Sequence, residues 1–454
     1  MQRLPFDTRK FLVVLTGQVA LVLIPAFAVH SGPAPVALAA GASIAVGNCD
    51  DSGPGSLRAA IAGAASGDTI DMSTLPCRLI DLTSGVIAIP QHDLSLVGGP
   101  PALMKVDAHD RSSVFRHSGT GTLYIKRMNI ARGIVSSDTE PLGGCLYSAG
   151  NLELVDSVIH GCRAKGVRHV VYGAGGGIYA LGAVKLVHSR MVDNLVPYGY
   201  GGAIFTLGGL TTSHSRICGN RVHGGVGVVF VNGGMALRYT TFCNNQGNEG
   251  IFAQTGTIVI ANSTISGNVG SRSLFLWASP NTGTTTIVNS TISGNTGAPI
   301  IIDGKSPKSI VNSTIAFNQL ADDELGSCGP ARPAIYVTGP EPVLLDSTII
   351  SNNLCNGVPG YSITKPENGT TTLVGANNLI TGPSNMALPA ETIVTDPELT
   401  PLADNGGPTL THALMEGSPA IDSGNNEAGL EFDQRGKGHP RVNGLQTDIG
   451  AYER

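Results

Sequence analysis

The stretches "ANSTISGN" at 261–268 and "VNSTISGN" at 288–295 are nearly one phrase written twice. It returns, altered, as "VNSTIAFN" from Val311, "LDSTIISN" from Leu345, "RYTTFCNN" from Arg238, "SHSRICGN" from Ser213, "VHSRMVDN" from Val187 and "VDSVIHGC" from Val155. Its third position sets a register at Ser157, Ser189, Ser215, Thr240, Ser263, Ser290, Ser313 and Ser347, with steps of 32, 26, 25, 23, 27, 23 and 34 residues. Self-similarity at such a period predicts a solenoid, in which each repeat buries its apolar face only against its neighbours.

Short alternating runs such as "TIVIANSTI" at 257–265 and "TTIVNSTI" at 285–292 enter the phrases, rich in β-branched residues that suit strands. No sustained three- and four-residue apolar spacing marks an amphipathic helix there, and the leucine frame of leucine-rich repeats is missing. The expected fold is all-β, a parallel β-helix whose coils stack about 4.8 Å apart. The closing Asn of the phrase, at Asn194, Asn220, Asn245, Asn268, Asn295, Asn318 and Asn352, predicts a ladder of amides bonding to turn backbone. Glycine pairs in "GGCLY" from Gly143, "GGGIY" from Gly175 and "GGAIF" from Gly201 mark bends, since no Walker lysine or strand–turn–helix context makes them phosphate loops.

The composition agrees. Among 454 residues, 61 are Gly and only 13% are charged, against about 25% in an ordinary globular chain. A net charge of −5 gives no basic surface for a nucleic-acid backbone. The beginning, "MQRLPFDTRK" followed by "FLVVLTGQVALVLI" and then Ala26, Phe27 and Ala28, reads as a signal peptide over 1–28, with a retained amino-terminal anchor as the alternative. Eight cysteines, Cys49, Cys77, Cys145, Cys162, Cys218, Cys243, Cys328 and Cys355, suit an oxidising compartment. Their connectivity is open in the sequence, but consecutive pairs lie 28, 17, 25 and 27 residues apart, about one coil, which favours sequential pairing.

The ends break the period. After a lead segment over 29–48, "GPGSLRAAIAGAASGDTI" at 53–70 offers Ser56 as the cap of a short helix from Leu57 to Ala65, placed to cover the open column end within a first unit over 49–93. The helix proper is expected over 94–380. Residues 381–454 form an irregular carboxy-terminal cap in which Asp433, Arg435, Arg441, Asp448 and Glu453 predict an ion-paired lock against the column end.

These features resemble secreted right-handed parallel β-helix proteins of the pectin-lyase-like superfamily. More narrowly, "CDDSGPGSLRAAIAGAASGDTI" at 49–70, "SPAIDSG" at 418–424, "DQRG" at 433–436 and "DIGAYE" at 448–453 resemble the bacterial choice-of-anchor Q type. "GGAIF" at 201–205 with "FCNN" at 242–245 is similar to the coils of chlamydial polymorphic outer membrane proteins, which are linked to adhesion. The resemblance implies contact with extracellular or envelope polysaccharide. The acid pairs Asp50–Asp51 and Asp322–Asp323 lie outside the repeated strands, so no hydrolase roles carry over to them.

Chemistry is expected between 156 and 239, where the longer step to Ser189 adds a loop containing Arg168, His169 and Tyr172. Tyr198, Tyr200 and His223 follow nearby. Arg190 and Arg216 are expected one coil apart, facing solvent, where like charges repel unless Asp193 or a bound anion relieves them. An anionic sugar would take paired donors from Arg and stacking from Tyr. If the protein is a lyase or hydrolase, His188, His214, Tyr200 and Tyr239 are the candidate acid–base groups beside those arginines. His188 and His214 share a slot with Asp156, Tyr239, Asn262, Asn289, Asn312 and Asp346, which favours a turn role over a metal or a base. No cofactor is expected, and calcium is left open because no ligand motif supports it. The expectation is thus an exported, monomeric carbohydrate-binding or adhesive protein at the cell surface, with a polysaccharide lyase or glycoside hydrolase, or a structural envelope protein, as alternatives.

Overall fold

A computed structural model describes residues 41–100, 103–136, 140–167, 171–279, 283–320 and 328–454. The leader at 1–28 lies outside them, as do Arg168, His169, Asp322 and Asp323. Three long parallel sheets of 13, 12 and 11 strands run in chain order, the arrangement of a right-handed parallel β-helix of about 12 turns. A coil passes from the first sheet through a two-residue corner to the second, then through another corner toward the third. One complete course is Ile258–Ala261, Thr264–Ser266 and Arg272–Trp277.

The repeated phrase spans the end of a first-sheet strand, the first corner, a second-sheet strand and the second corner. Its fifth position, or its sixth in the last repeat, points inward: Ile159, Met191, Ile217, Phe242, Ile265, Ile292, Ile315 and Ile350 are all buried in consecutive register. Burying each such side chain contributes about 1.5–3 kcal/mol, so the stacked column supplies the main driving force. Hydroxyls and amides fix the corners. The Ser189 N–H donates to Ser215 Oγ at 3.1 Å, and the Ser263 N–H donates to Ser290 Oγ at 3.1 Å. Each ladder Asn accepts the backbone N–H of the Asn one coil earlier at 2.9–3.2 Å, from Asn194 onward.

The last repeat shifts by one residue from its expected register. Val311 lies opposite Asp346, so Thr348 and Asn353, not Ser347 and Asn352, continue the two ladders. The positive φ of Ser347 (45°) and Asn352 (55°) places them in the preceding corner slots.

At the amino-terminal end, the helix Leu57–Gly63 is capped by Ser56 Oγ, which accepts from Ala59 N at 3.2 Å. Leu57 and Ile61 enter the main core, and Gln91 Nε2 donates to the terminal carbonyls of Ile61 and Ala64. Ser43–Ala45, inside the stretch expected to be a lead, is already the first strand, paired with Thr69–Met72. All four disulfides join consecutive cysteines: Cys49–Cys77, Cys145–Cys162, Cys218–Cys243 and Cys328–Cys355.

The carboxy-terminal segment takes a different path from the one expected. Residues 381–398 close the column end, with Met386 in the main core and the Ile380 N–H donating to Ile393 O. Residues 399–454 then run back along the flank over the second sheet. Thr264 Oγ1 donates to Leu410 O at 2.5 Å, Thr291 Oγ1 to Gln434 Oε1 at 2.6 Å, and the Ala451 N–H to Thr314 Oγ1 at 3.0 Å. Corner amides of Asn262, Asn289 and Asn312 donate to the carbonyls of Asp433, Phe432 and Asn425. The expected ion-paired lock is only partly ionic. Arg435 pairs with Asp433 at 2.7 Å and stacks on Tyr452, whereas the fully buried Arg441 donates to the carbonyls of Asp448 and Gly450.

Candidate functional site

The covering segment divides the outer face of the second sheet. One outward column reads Lys105, Asn129, Val158, Arg190, Arg216, Thr241, Thr264, Thr291 and Thr314, strand by strand. Arg190 and Arg216 are exposed, whereas the threonines from Thr241 onward are buried. Arg190 sits opposite Arg216 on adjacent strands, and among the described residues neither has a carboxylate within 4.0 Å. Asp193 therefore does not relieve the pair. Two cations on strands about 5 Å apart without a counter-ion repel each other and favour a bound anion between them.

A cleft of about 630 Å³ opens where the covering segment begins, lined by Arg216, Thr241, Asn244, Ser293, Asp404 and Leu410 among others. At the opposite end of the open face lies an ion network absent from the sequence-based candidates. Asp107 is fully buried and accepts from Arg132 Nη2 at 2.6 Å and Lys105 Nζ at 2.7 Å. Burial alone would raise its pKa, but those hydrogen bonds prevail and hold the carboxyl well below the usual carboxylate range. His109 bridges the network to Asp81, its Nδ1 taking Arg132 Nη2 at 2.7 Å and its Nε2 facing Asp81 Oδ1 at 2.5 Å. With every member partnered, this cluster stiffens the end of the face.

His188, His214 and Tyr239 border the open face as a row along the first corner. Ring centroids are 5.1 Å apart for His188–His214 and 4.8 Å for His214–Tyr239. All three have φ of 48°, the left-handed conformation that the corner also imposes on Asn262, Asn289 and Asn312. Burial, then the neighbouring His188, lowers the His214 pKa, and Ser213 Oγ lies 2.9 Å from its Nδ1. Among the described residues, no three His, Cys, Asp or Glu gather as a metal ion would require.

The remaining candidates lie across the coil. Tyr172 and Tyr200 meet at 5.8 Å, and Tyr200 packs edge-on against Phe230 of the third sheet. Tyr198 lies against Gly224, and His223 borders a shallow depression beside it. The expected cluster thus separates into Arg190, Arg216, His188, His214 and Tyr239 on one side and Tyr172, Tyr198, Tyr200 and His223 on the other.

The third sheet carries a feature that the phrase-based reading missed. Tyr147, Tyr179, Phe205, Phe230, Phe252 and Phe275 form a half-exposed row of nearly parallel rings, with centroids 4.7–5.6 Å apart. An aromatic residue recurring between aliphatic ones, as in "GIYA", "AIFT" and "GIFA", is its signal in the sequence. Because each ring face is covered by the next, the row presents edges to solvent and offers few faces on which a sugar could stack.

The right handed beta helix region family matches residues 226–392. No curated protein matches the chain. Among solved structures, pectate lyase Pel9A is 14% identical with a TM-score of 0.43, over 91% of this chain and 97% of that one. XylC in complex with xylose is 9% identical with a TM-score of 0.45, over 91% and 98%. Bacteriophage CBA120 tailspike protein 3 is 9% identical with a TM-score of 0.35, over 77% and 58%. These likenesses concern the course of the chain.

Proposed function

We propose that the protein works outside the cell as a carbohydrate-binding β-helix, retained at the surface or released near it, and that its open second-sheet face holds an acidic polysaccharide. The observation that carries this reading is the in-register Arg190–Arg216 pair, which is exposed and free of carboxylate partners among the described residues. A uronate carboxylate bridging the pair would relieve the repulsion and accept charge-assisted bonds from both guanidinium groups. Four disulfides support an oxidising location. Among the described residues, no helix is long and apolar enough to cross a membrane.

A panel of acidic and neutral polysaccharides tests the proposal by titration at low and high salt. Saturable binding is expected for acidic chains only, weakened by salt and reduced about tenfold or more by Arg216→Ala, since a charge-assisted bond is worth roughly 1.5–3 kcal/mol. Equal binding of neutral chains, or no change in Arg216→Ala, overturns it.

One observation favours a lyase as the second reading. His214, shifted toward its neutral form, lies two residues before Arg216 and could take the proton alpha to a carboxylate held by the arginines. That reading requires unsaturated uronide among the products, detected by its ultraviolet absorbance.

A further inference from the structure

The covering segment brings a nucleophile and a base together in the cleft. Ser293 ends the second-sheet strand Thr291–Ser293, with its side chain in an outward column that also includes Ser266 and Ser351. Ser293 lines the cleft. Behind it, in the covering segment, the Nε2 of His412 lies 2.8 Å from Ser293 Oγ, and Nδ1 lies 2.7 Å from the Thr400 carbonyl oxygen. A carbonyl oxygen only accepts, so Nδ1 carries the proton and Nε2 presents its lone pair to the serine hydroxyl. The Thr400 carbonyl is itself held in place: Thr400 N donates to Ala413 O at 2.9 Å, and Ala413 N donates to Thr400 Oγ1 at 3.0 Å. Phe317 packs against the imidazole at 5.0 Å, and burial lowers the His412 pKa, which keeps Nε2 unprotonated near neutrality.

These contacts reproduce the relations of an activated serine: nucleophile to base, and base to an orienting third group, here a main-chain carbonyl. The residue after the nucleophile is Gly294, in the left-handed conformation with φ 65°. Its equivalents Gly219, Asn244 and Gly267 donate their backbone N–H to Cys243, Ser266 and Ser293 of the following coil, whereas the Gly294 N–H has no backbone acceptor among the described residues. Gly294 lines the same cleft as Ser293, which makes its N–H the candidate donor to an oxyanion. Ser351, two coils further along the same column, differs: its hydroxyl meets Thr381 at 2.7 Å and no imidazole.

We infer that Ser293 and His412 form a nucleophile–base pair that hydrolyses O-acyl esters on a polysaccharide lying in the cleft. Ser293 Oγ bonds to the ester carbonyl carbon as its proton passes to His412 Nε2, and the oxyanion turns toward the Gly294 N–H. The bond to the sugar oxygen then breaks, and His412 returns the proton to the departing hydroxyl. Water next gives a proton to His412 and its oxygen to the acyl carbon; the bond from that carbon to Ser293 Oγ breaks as His412 returns the proton to Oγ, releasing a carboxylic acid and restoring both residues. The sugar part of this assignment rests on the glycan reading above. Ser293 lies three coils beyond Arg216, about 15 Å along the column, so one bound chain can touch both.

The test uses the disulfide-bonded protein with a fluorophosphonate and with p-nitrophenyl acetate, probes that carry no sugar. One adduct per chain is expected on Ser293, with a labelling rate that rises with pH to a plateau whose midpoint lies below that of free histidine. Ser293→Ala should abolish label and turnover, and Ser351→Ala should leave both unchanged. His412→Gln, which keeps a polar bridge toward Thr400 but takes up no proton, should slow labelling by about 100-fold or more. Failure to label Ser293 in folded protein, or turnover unaffected by Ser293→Ala or His412→Gln, overturns the nucleophile and leaves glycan binding as a separate question. Labelling without release of acetate from O-acetylated alginate or acetylated pectin overturns the assigned substrate.

Discussion

The second sheet has two halves built on one plan. Its inward residues and its Asn ladder continue unchanged from Arg190 to Thr314, yet the outward column is cationic and open in the first half and hydroxylic and covered in the second. The solenoid repeat governs what lies inside the coil, and neighbouring chain governs what lies outside. Both proposed sites use the outside, and they fall where the two halves meet, between Arg216 and Ser293.

If the halves differ only in their covering, the ladder beneath them should be equally important in both. Asn220 and Asn295 have matching roles. Each Oδ1 accepts both the backbone N–H and the side-chain amide of the preceding Asn, and each Nδ2 donates to two backbone carbonyls and to the next Asn. Replacing either by Ala leaves two buried donors unsatisfied and should cost about 4 kcal/mol. Denaturant titration of Asn220→Ala and Asn295→Ala is expected to agree within about 1 kcal/mol. A much larger loss at Asn295 would mean that the covering segment contributes through the sheet as well as on it.

This division also explains what the sequence disclosed. Alternation around Ile265 and Ile292 and the recurrent Asn make the interior legible, because every coil repeats the same physical demand. The slip at Ser347 was hidden because "DST" satisfies two registers equally until backbone pairing selects one. Thr264, Thr291 and Thr314 look like any solvent-facing strand residues, and an aperiodic tail carries no statement of where it docks. The Ser293–His412 contact, 119 residues apart, is therefore invisible before the fold-back is known. Tyr200 is expected beside Arg190 because they are near in sequence, but half a coil carries it to a separate two-stranded sheet, Gly173–Ala174 with Gly199–Tyr200, against Phe230 of the third sheet.

The covered half should loosen as pH rises, whereas burial lowers the pKa values of His160 and His214, so the open half loosens only as pH falls. Burial pushes the Glu453 carboxyl up to about 7, although backbone N–H groups and Arg441 favour its ionised form. A folded pKa above the ordinary value of 4.5 means that stability is fully present below pH 4.5 and is lost as pH rises through 7. The loss is on the order of 3 kcal/mol. Asp448 shifts in the same sense and His412 in the opposite one, so the contribution of Glu453 is the difference from Glu453→Gln. Hydrogen exchange at pH 5 and 8 should show residues 399–454 opening more readily at pH 8, with the change reduced in Glu453→Gln and coils 150–220 opening no more readily at pH 8 than at pH 5. Equal loosening of both halves would break the comparison.

The smallest effect concerns the corner row beside the open face. His214 holds a left-handed φ that costs a non-glycine residue roughly 1–2 kcal/mol, and Asn tolerates that region better. Asn occupies the same slot in three covered coils, at Asn262, Asn289 and Asn312, where its amide binds the covering segment. In the open half there is no segment to bind, so His214→Asn loses ring packing against His188 and Tyr239 and the exposed contact with Ser213 Oγ. The net change in stability should stay under about 1 kcal/mol, and binding of acidic glycan should survive. Glycan binding retained with loss of unsaturated uronide would make His214 the base of the lyase reading. Loss of both at unchanged stability would place the imidazole in contact with the ligand, and the corner row would then belong to the site itself.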